Sequence, residues 1–176
     1  VSNDELLKEE AAYMSAVSSF YTGNERSGEI LQGYLERYPE TIHRHQLQFL
    51  IGSYYYDKKE WNKALYWFKE ADLDYLALTD QEAYSFRLGY AQLKSGNQEE
   101  ATRLFGLLSQ NSETYRDAAD FYLGYINYAN GNYTKALQRF ERLRNHPEYQ
   151  EDVAFYTAQA NFFDGKIDDA IRLSEA

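Results

Sequence analysis

The residues that could do chemistry are few. There are three histidines and no cysteine, so thiolate nucleophiles, thiolate metal sites and disulfides are all excluded. His43 and His45 stand two apart, and on a helix their side chains would point about 200° away from each other. With His146 they read as loop or surface residues, because metal ligation would need a different backbone and carboxylate partners. The acidic pairs Glu99-Glu100 and Asp168-Asp169 open helices, where negative charge meets the positive end of the helix dipole. That role accounts for them more simply than a glycosidase-like carboxylate pair. The serines are scattered without a nucleophile elbow, and no glycine-rich phosphate loop follows a strand. No catalytic site, metal or cofactor is expected.

The side chains that stand out are aromatic. Aromatics make up 17% of the 176 residues, with eighteen tyrosines, and such rings either fill cores or form adhesive surfaces. Hydrophobic residues at 44% and charged residues at 26% fit an ordinary folded domain. The net charge of −10 is concentrated toward both ends, while the stretch 82–150 is neutral. With no basic cluster, nucleic acid and anionic membranes are not expected partners. No apolar run approaches the roughly 20 residues that span a bilayer.

The elements that would position these aromatics are helical and repeated. Only Pro39 and Pro147 could break long helices. Small residues recur twelve apart as Gly52 and Ala64, Gly89 and Ala101, Gly124 and Ala136, and Ala158 and Ala170. Ser15 and Ser27 give a divergent first pair. Phe68, Phe105 and Phe140 follow three of the alanines by one helical turn, on the same face, and are expected to pack. Turn residues Thr22-Gly23-Asn24, Ser95-Gly96-Asn97, Asn130-Gly131-Asn132 and Asp164-Gly165-Lys166 separate a first helix from a second. Glycine there suits a left-handed helix terminus, and a following Asn can cap the next helix. Lys58-Lys59-Glu60 replaces this signal in the second repeat, and Thr79-Asp80-Gln81-Glu82 reads as a capping box. Two antiparallel helices approach most closely where their side chains are smallest, so the paired Gly and Ala are predicted at that contact. The expectation is one solenoid over 1–176, with repeats near 8–41, 45–78, 82–115, 117–150 and 151–176.

This pattern, as in "FLIGSYYYDKKEWNKALYWFKEA" (49–71) and "FYLGYINYANGNYTKALQRFERL" (121–143), resembles the tetratricopeptide repeat (TPR). The resemblance covers nearly the whole chain and implies an all-α, right-handed superhelical solenoid of antiparallel helix pairs. The usual early Trp of the first helix is absent, and Phe49, Phe86, Phe121 and Phe155 come one position later. That variant is similar to bacterial envelope proteins such as the outer-membrane assembly lipoprotein and the Tol–Pal coordinator. It implies a periplasmic or outer-membrane-associated location, with cytoplasmic residence the alternative. The chain begins at Val1 and its fifth repeat stops about two turns into its second helix, so a longer native chain is expected.

In the resembling family the first helices line a concave groove that receives partner segments. Carried onto this sequence, the groove positions are Phe49, Ser53 and Tyr56, then Phe86, Tyr90 and Leu93. Phe121, Tyr125 and Tyr128 follow, then Phe155, Gln159 and Phe162. Each set is spaced four then three, on one helical stripe. The phenylalanines are equally read as packing between successive first helices, the tyrosines as exposed. The implied function is a non-catalytic scaffold for a protein or peptide partner. Two rivals remain open: a self-associating solenoid, and a tyrosine-lined groove that binds or hydrolyses glycans.

Overall fold

The computed structural model describes residues 3–166, and among them there is no β-strand. The chain divides into two compact units, Val1–Asn97 and Gln98–Ala176, with the boundary inside the predicted repeat 82–115.

The first unit holds α1 (Asn3–Tyr21), α2 (Ser27–Arg37), α3 (Arg44–Asp57), α4 (Trp61–Glu70), a 3-10 turn at Leu73–Tyr75 and α5 (Leu78–Lys94). Pro39 falls between α2 and α3, where no helical hydrogen bond is lost. Gly23 closes α1 at φ +71°, as its type predicts. The Lys58-Lys59-Glu60 turn does the same with Lys59 at φ +59°, a conformation that glycine adopts without strain. The core gathers Leu31, Leu47, Leu50, Ile51, Ala64 and Phe68, none more than 1% exposed. Ser53 lies among them fully buried, and its hydroxyl has no hydrogen-bond partner.

Two local expectations fail here. The predicted capping box at Thr79–Glu82 is not formed: α5 starts two residues earlier, with Ala77 as N-cap and no side-chain cap bond. The Ala77 carbonyl accepts from the backbone N–H groups of Asp80 and Gln81, and Gln81 Nε2 donates to the Leu76 carbonyl. The small-residue contact also differs. A Cβ on Gly52 would lie 2.5 Å from Cδ1 of Phe68, so the glycine makes room for that ring rather than for Ala64.

The second unit holds α6 (Gln98–Asn111), α7 (Arg116–Ala129), α8 (Tyr133–Leu143) and α9 (Gln150–Phe163). Gly131 closes α7 at φ +74° and Gly165 follows α9 at φ +81°. Asn132 is the N-cap of α8 by position but makes no side-chain cap bond. Pro147 lies between α8 and α9. Gly124 stands to Phe140 as Gly52 does to Phe68, with a would-be Cβ 2.5 Å from the ring. Ala101, Phe105, Ala136 and Phe140 are completely buried. Fully burying one such phenylalanine contributes about 1.5–3 kcal/mol. Gly89 is likewise buried in α5 and Ala158 half-buried in α9, whereas Ala170 lies outside the described residues.

Candidate interaction surfaces

In the first unit the aromatic stripe splits by depth. Phe49 is 3% exposed, wedged between Phe68 and Tyr84 at centroid distances of 6.3 and 6.2 Å. It is core, and so is Ser53, which corrects their assignment to a groove. Both sit where the next first helix packs, and α3 does touch α5. Tyr56, Phe86, Tyr90 and Leu93 remain half-buried. Tyr56 and Tyr90 meet Trp61, the first residue of α4, in a triangle whose centroids are all 5.6 Å apart. Three edge-to-face contacts lock these rings into one orientation.

Cations lie on this aromatic face. The Arg87 guanidinium stands 6.0 Å from the Phe49 centroid and 5.7 Å from that of Tyr56. Lys94 Nζ sits 5.2 Å over Tyr90, and Lys58 Nζ 5.7 Å over Tyr54. Arg87 and Lys58 also line a depression of about 380 Å³ with Phe20, Tyr21, Tyr54 and Asp57. Partial desolvation pushes the Tyr21 hydroxyl above the ordinary tyrosine pKa and Asp80 adds to the rise, although the residue as a whole is 65% exposed.

The second unit repeats the division. Phe121, 8% exposed, stacks on Tyr149 at 5.0 Å and meets Phe140 at 6.3 Å, so it too is core rather than groove. Tyr125 and Tyr128 are half-buried, and both pack on Tyr156 of α9, Tyr125 edge-on at 5.5 Å and Tyr128 tilted at 5.2 Å. The Tyr128 hydroxyl donates to Gln159 Oε1. Burial raises the Tyr128 and Tyr156 pKa values, and neighbouring phenols reinforce both. Phe155 and Phe162 of α9 are each 57% exposed. They occupy the register that in α7 holds the core residue Phe121 and the half-buried Tyr128.

Sequence reasoning missed Trp61 and Tyr156, the residues that brace the tyrosines. Tyr156 follows Phe155 by one position, and Trp61 opens a second helix, so neither shares the 4-3 spacing used to find the stripe. It also missed Asp120, 3% exposed on α7. Its carboxylate takes a bond from Ser109 Oγ of α6 at 2.7 Å and pairs with Arg139 and Arg142 of α8. Arg139 Nη1 also donates to Ser109 Oγ at 2.9 Å, so one carboxylate ties three helices. The histidines sit at hairpin junctions: His43 stacks on Tyr13 at 3.6 Å and lies 3.3 Å from Glu10, while His146 lies 3.4 Å from Asp117.

Residues 118–149 match the tetratricopeptide repeat family model. No curated protein matches the sequence. Among solved structures the chain is similar to the nearly identical TPR-like repeats of a Podosopora anserina protein assigned as a kinesin light chain. The TM-score is 0.67 at 18% identity, over 96% of this chain and 92% of that one. A singly substituted form of those repeats matches equally. The chain is also similar to the MamA protein, at TM-score 0.71 and 15% identity over 95% of this chain and 88% of that one. The fold is therefore an all-α, TPR-like solenoid of helical hairpins, and residues 118–149 form one such repeat.

Proposed function

We propose that this protein is a non-catalytic scaffold that binds a protein partner through the tyrosine faces of its first helices. One observation carries the reading. Tyr56 and Tyr90 are held by Trp61, and Tyr125 and Tyr128 by Tyr156, so amphipathic rings are pre-ordered while staying half accessible. Pre-ordered side chains lose little entropy when a partner docks, and tyrosine serves as a rigid anchor with a polar tip. TPR-like folds generally serve as protein-interaction scaffolds, which supports the same reading. Affinity capture tests it: wild type should retain a partner that the Tyr90→Ala/Tyr125→Ala/Tyr128→Ala variant, with helicity intact, releases. Equal capture by both would move binding to another face.

We place the scaffold in the cell envelope on the resemblance carried by Phe49, Phe86, Phe121 and Phe155. Fractionation of the native protein into cytoplasm instead would remove that placement. A second reading, self-association, draws support from the exposed Phe155, Phe162 and Phe163 of α9. It predicts an elution volume that depends on concentration and ceases to when Phe155 and Phe162 become serine.

A further inference from the structure

The turn between α3 and α4 breaks the rule of its own fold. Gly23, Gly96, Gly131 and Gly165 occupy the left-handed position of the other described hairpin turns, at φ between +71° and +86°. Here the residue is Lys59, at φ +59°, where a side chain is sterically disfavoured. Strain held at a turn points toward a use for the side chain that bears it.

What surrounds Lys59 indicates the use. Lys59, Glu60, Trp61, Asn62, Lys63, Lys94 and Ser95 line an open depression of about 550 Å³. The only carboxylate in that lining, Glu60, is engaged by Lys63 at 2.5 Å. Among the described residues no carboxylate pairs with Lys59 or Lys94. The Lys94 ammonium lies over Tyr90, which with Tyr56 holds Trp61 in place. Lys94 ends α5 and suits the negative end of its dipole. Lys59 directly follows the C-cap of α3, so its charge also suits the dipole, but the other described turns use glycine there and avoid the strain.

We propose that this turn is a docking site for an acidic peptide segment of a partner protein. Carboxylates would meet Lys59 and Lys94 while an apolar side chain lies against Trp61. Charge complementarity selects that occupant: Lys59 and Lys94, two lysines without a carboxylate partner among the described residues, line the depression on a chain whose net charge is −10. The same net charge disfavours a long polyanion such as RNA, which would extend well past the two lysines. The site does not rest on the first-helix tyrosines as partner contacts. Loss of acidic-peptide binding with partner capture intact would leave that reading standing, and the converse holds equally.

Fluorescence anisotropy at low ionic strength tests the proposal, using a labelled Glu-Asp-Phe-Glu-Asp peptide, its Gln-Asn-Phe-Gln-Asn counterpart and oligouridine. Wild type should bind the acidic peptide saturably and neither control, and salt should weaken the binding. Lys59→Gly should weaken it by about fivefold to tenfold, the size expected of one charge contact. Because that change also relieves the backbone, its Tm should equal or exceed that of wild type. Lys59→Gln, which keeps the backbone demand and removes the charge, should weaken binding to the same extent. Absent saturation by the acidic peptide, equal binding by Lys59→Gly/Lys94→Gln, equal binding of the neutral peptide, or tighter binding of oligouridine would each overturn the proposal.

Discussion

Gly52 and Phe68 are a matched pair: the ring occupies the volume that any larger residue at position 52 would need, with Cδ1 2.5 Å from a would-be Cβ. Phe68 is fully buried, so it has nowhere to retreat. Gly52→Ala gains about 1 kcal/mol of helix propensity but overpacks the core at a cost of about 1–3 kcal/mol. A net fall in the denaturation midpoint is expected. Gly33→Ala is the control, since a Cβ there meets nothing within 4 Å. In the interior of α2 it should raise stability by about 0.5–1 kcal/mol. If both substitutions stabilise, the pairing of Gly52 with Phe68 is not the constraint described.

Asp120 makes a second prediction. Its buried carboxylate holds Arg139 and Ser109, joining α6, α7 and α8. Asp120→Ala strands Arg139 without its counter-ion and should destabilise by about 2–3 kcal/mol, below the value for a wholly buried pair because Arg139 is partly exposed. Arg142→Ala, whose partner distance is 3.4 Å and whose side chain is 66% exposed, should cost less than about 1 kcal/mol. Urea denaturation of the two variants beside wild type gives the comparison.

The tyrosines impose a pH limit. Burial raises the hydroxyl pKa of Tyr13, Tyr149 and Tyr156 above the ordinary value near 10. A group whose pKa rises on folding contributes stability that is complete below its unfolded value and lost as pH climbs through the folded one. Stability should therefore be unaffected by these groups at neutral pH and fall above about pH 10. Phenolate absorbance should rise together with the loss of helical circular dichroism. Tyr156→Phe, which keeps the ring and removes the proton, should make the alkaline loss shallower; an unchanged profile would assign that loss to other groups.

The architecture was legible because the hairpin writes itself into spacing. The twelve-residue interval, the turn glycines at positive φ and the phenylalanine one turn beyond Ala64, Ala101 and Ala136 all recur in the described helices. What each small residue faces was less legible, since Gly52 and Ala64 share a register but Phe68 supplies the atoms that touch. The surface was half legible. Phe49 and Tyr56 lie on one stripe, and a 4-3 spacing cannot say which of them the next first helix will cover. Trp61, Tyr156 and Asp120 act across helix pairs, and a period counted along one helix does not reveal such contacts.

Photo-crosslinking asks whether the half-buried tyrosines face the partner. A photoreactive benzoylphenylalanine is placed at position 90, at position 125 or, as control, at the exposed Thr134 of α8. The scaffold reading predicts that the same partner is crosslinked from positions 90 and 125 and not from 134. Adducts from 134 alone, or none from 90 and 125 while the partner still co-purifies, would contradict it.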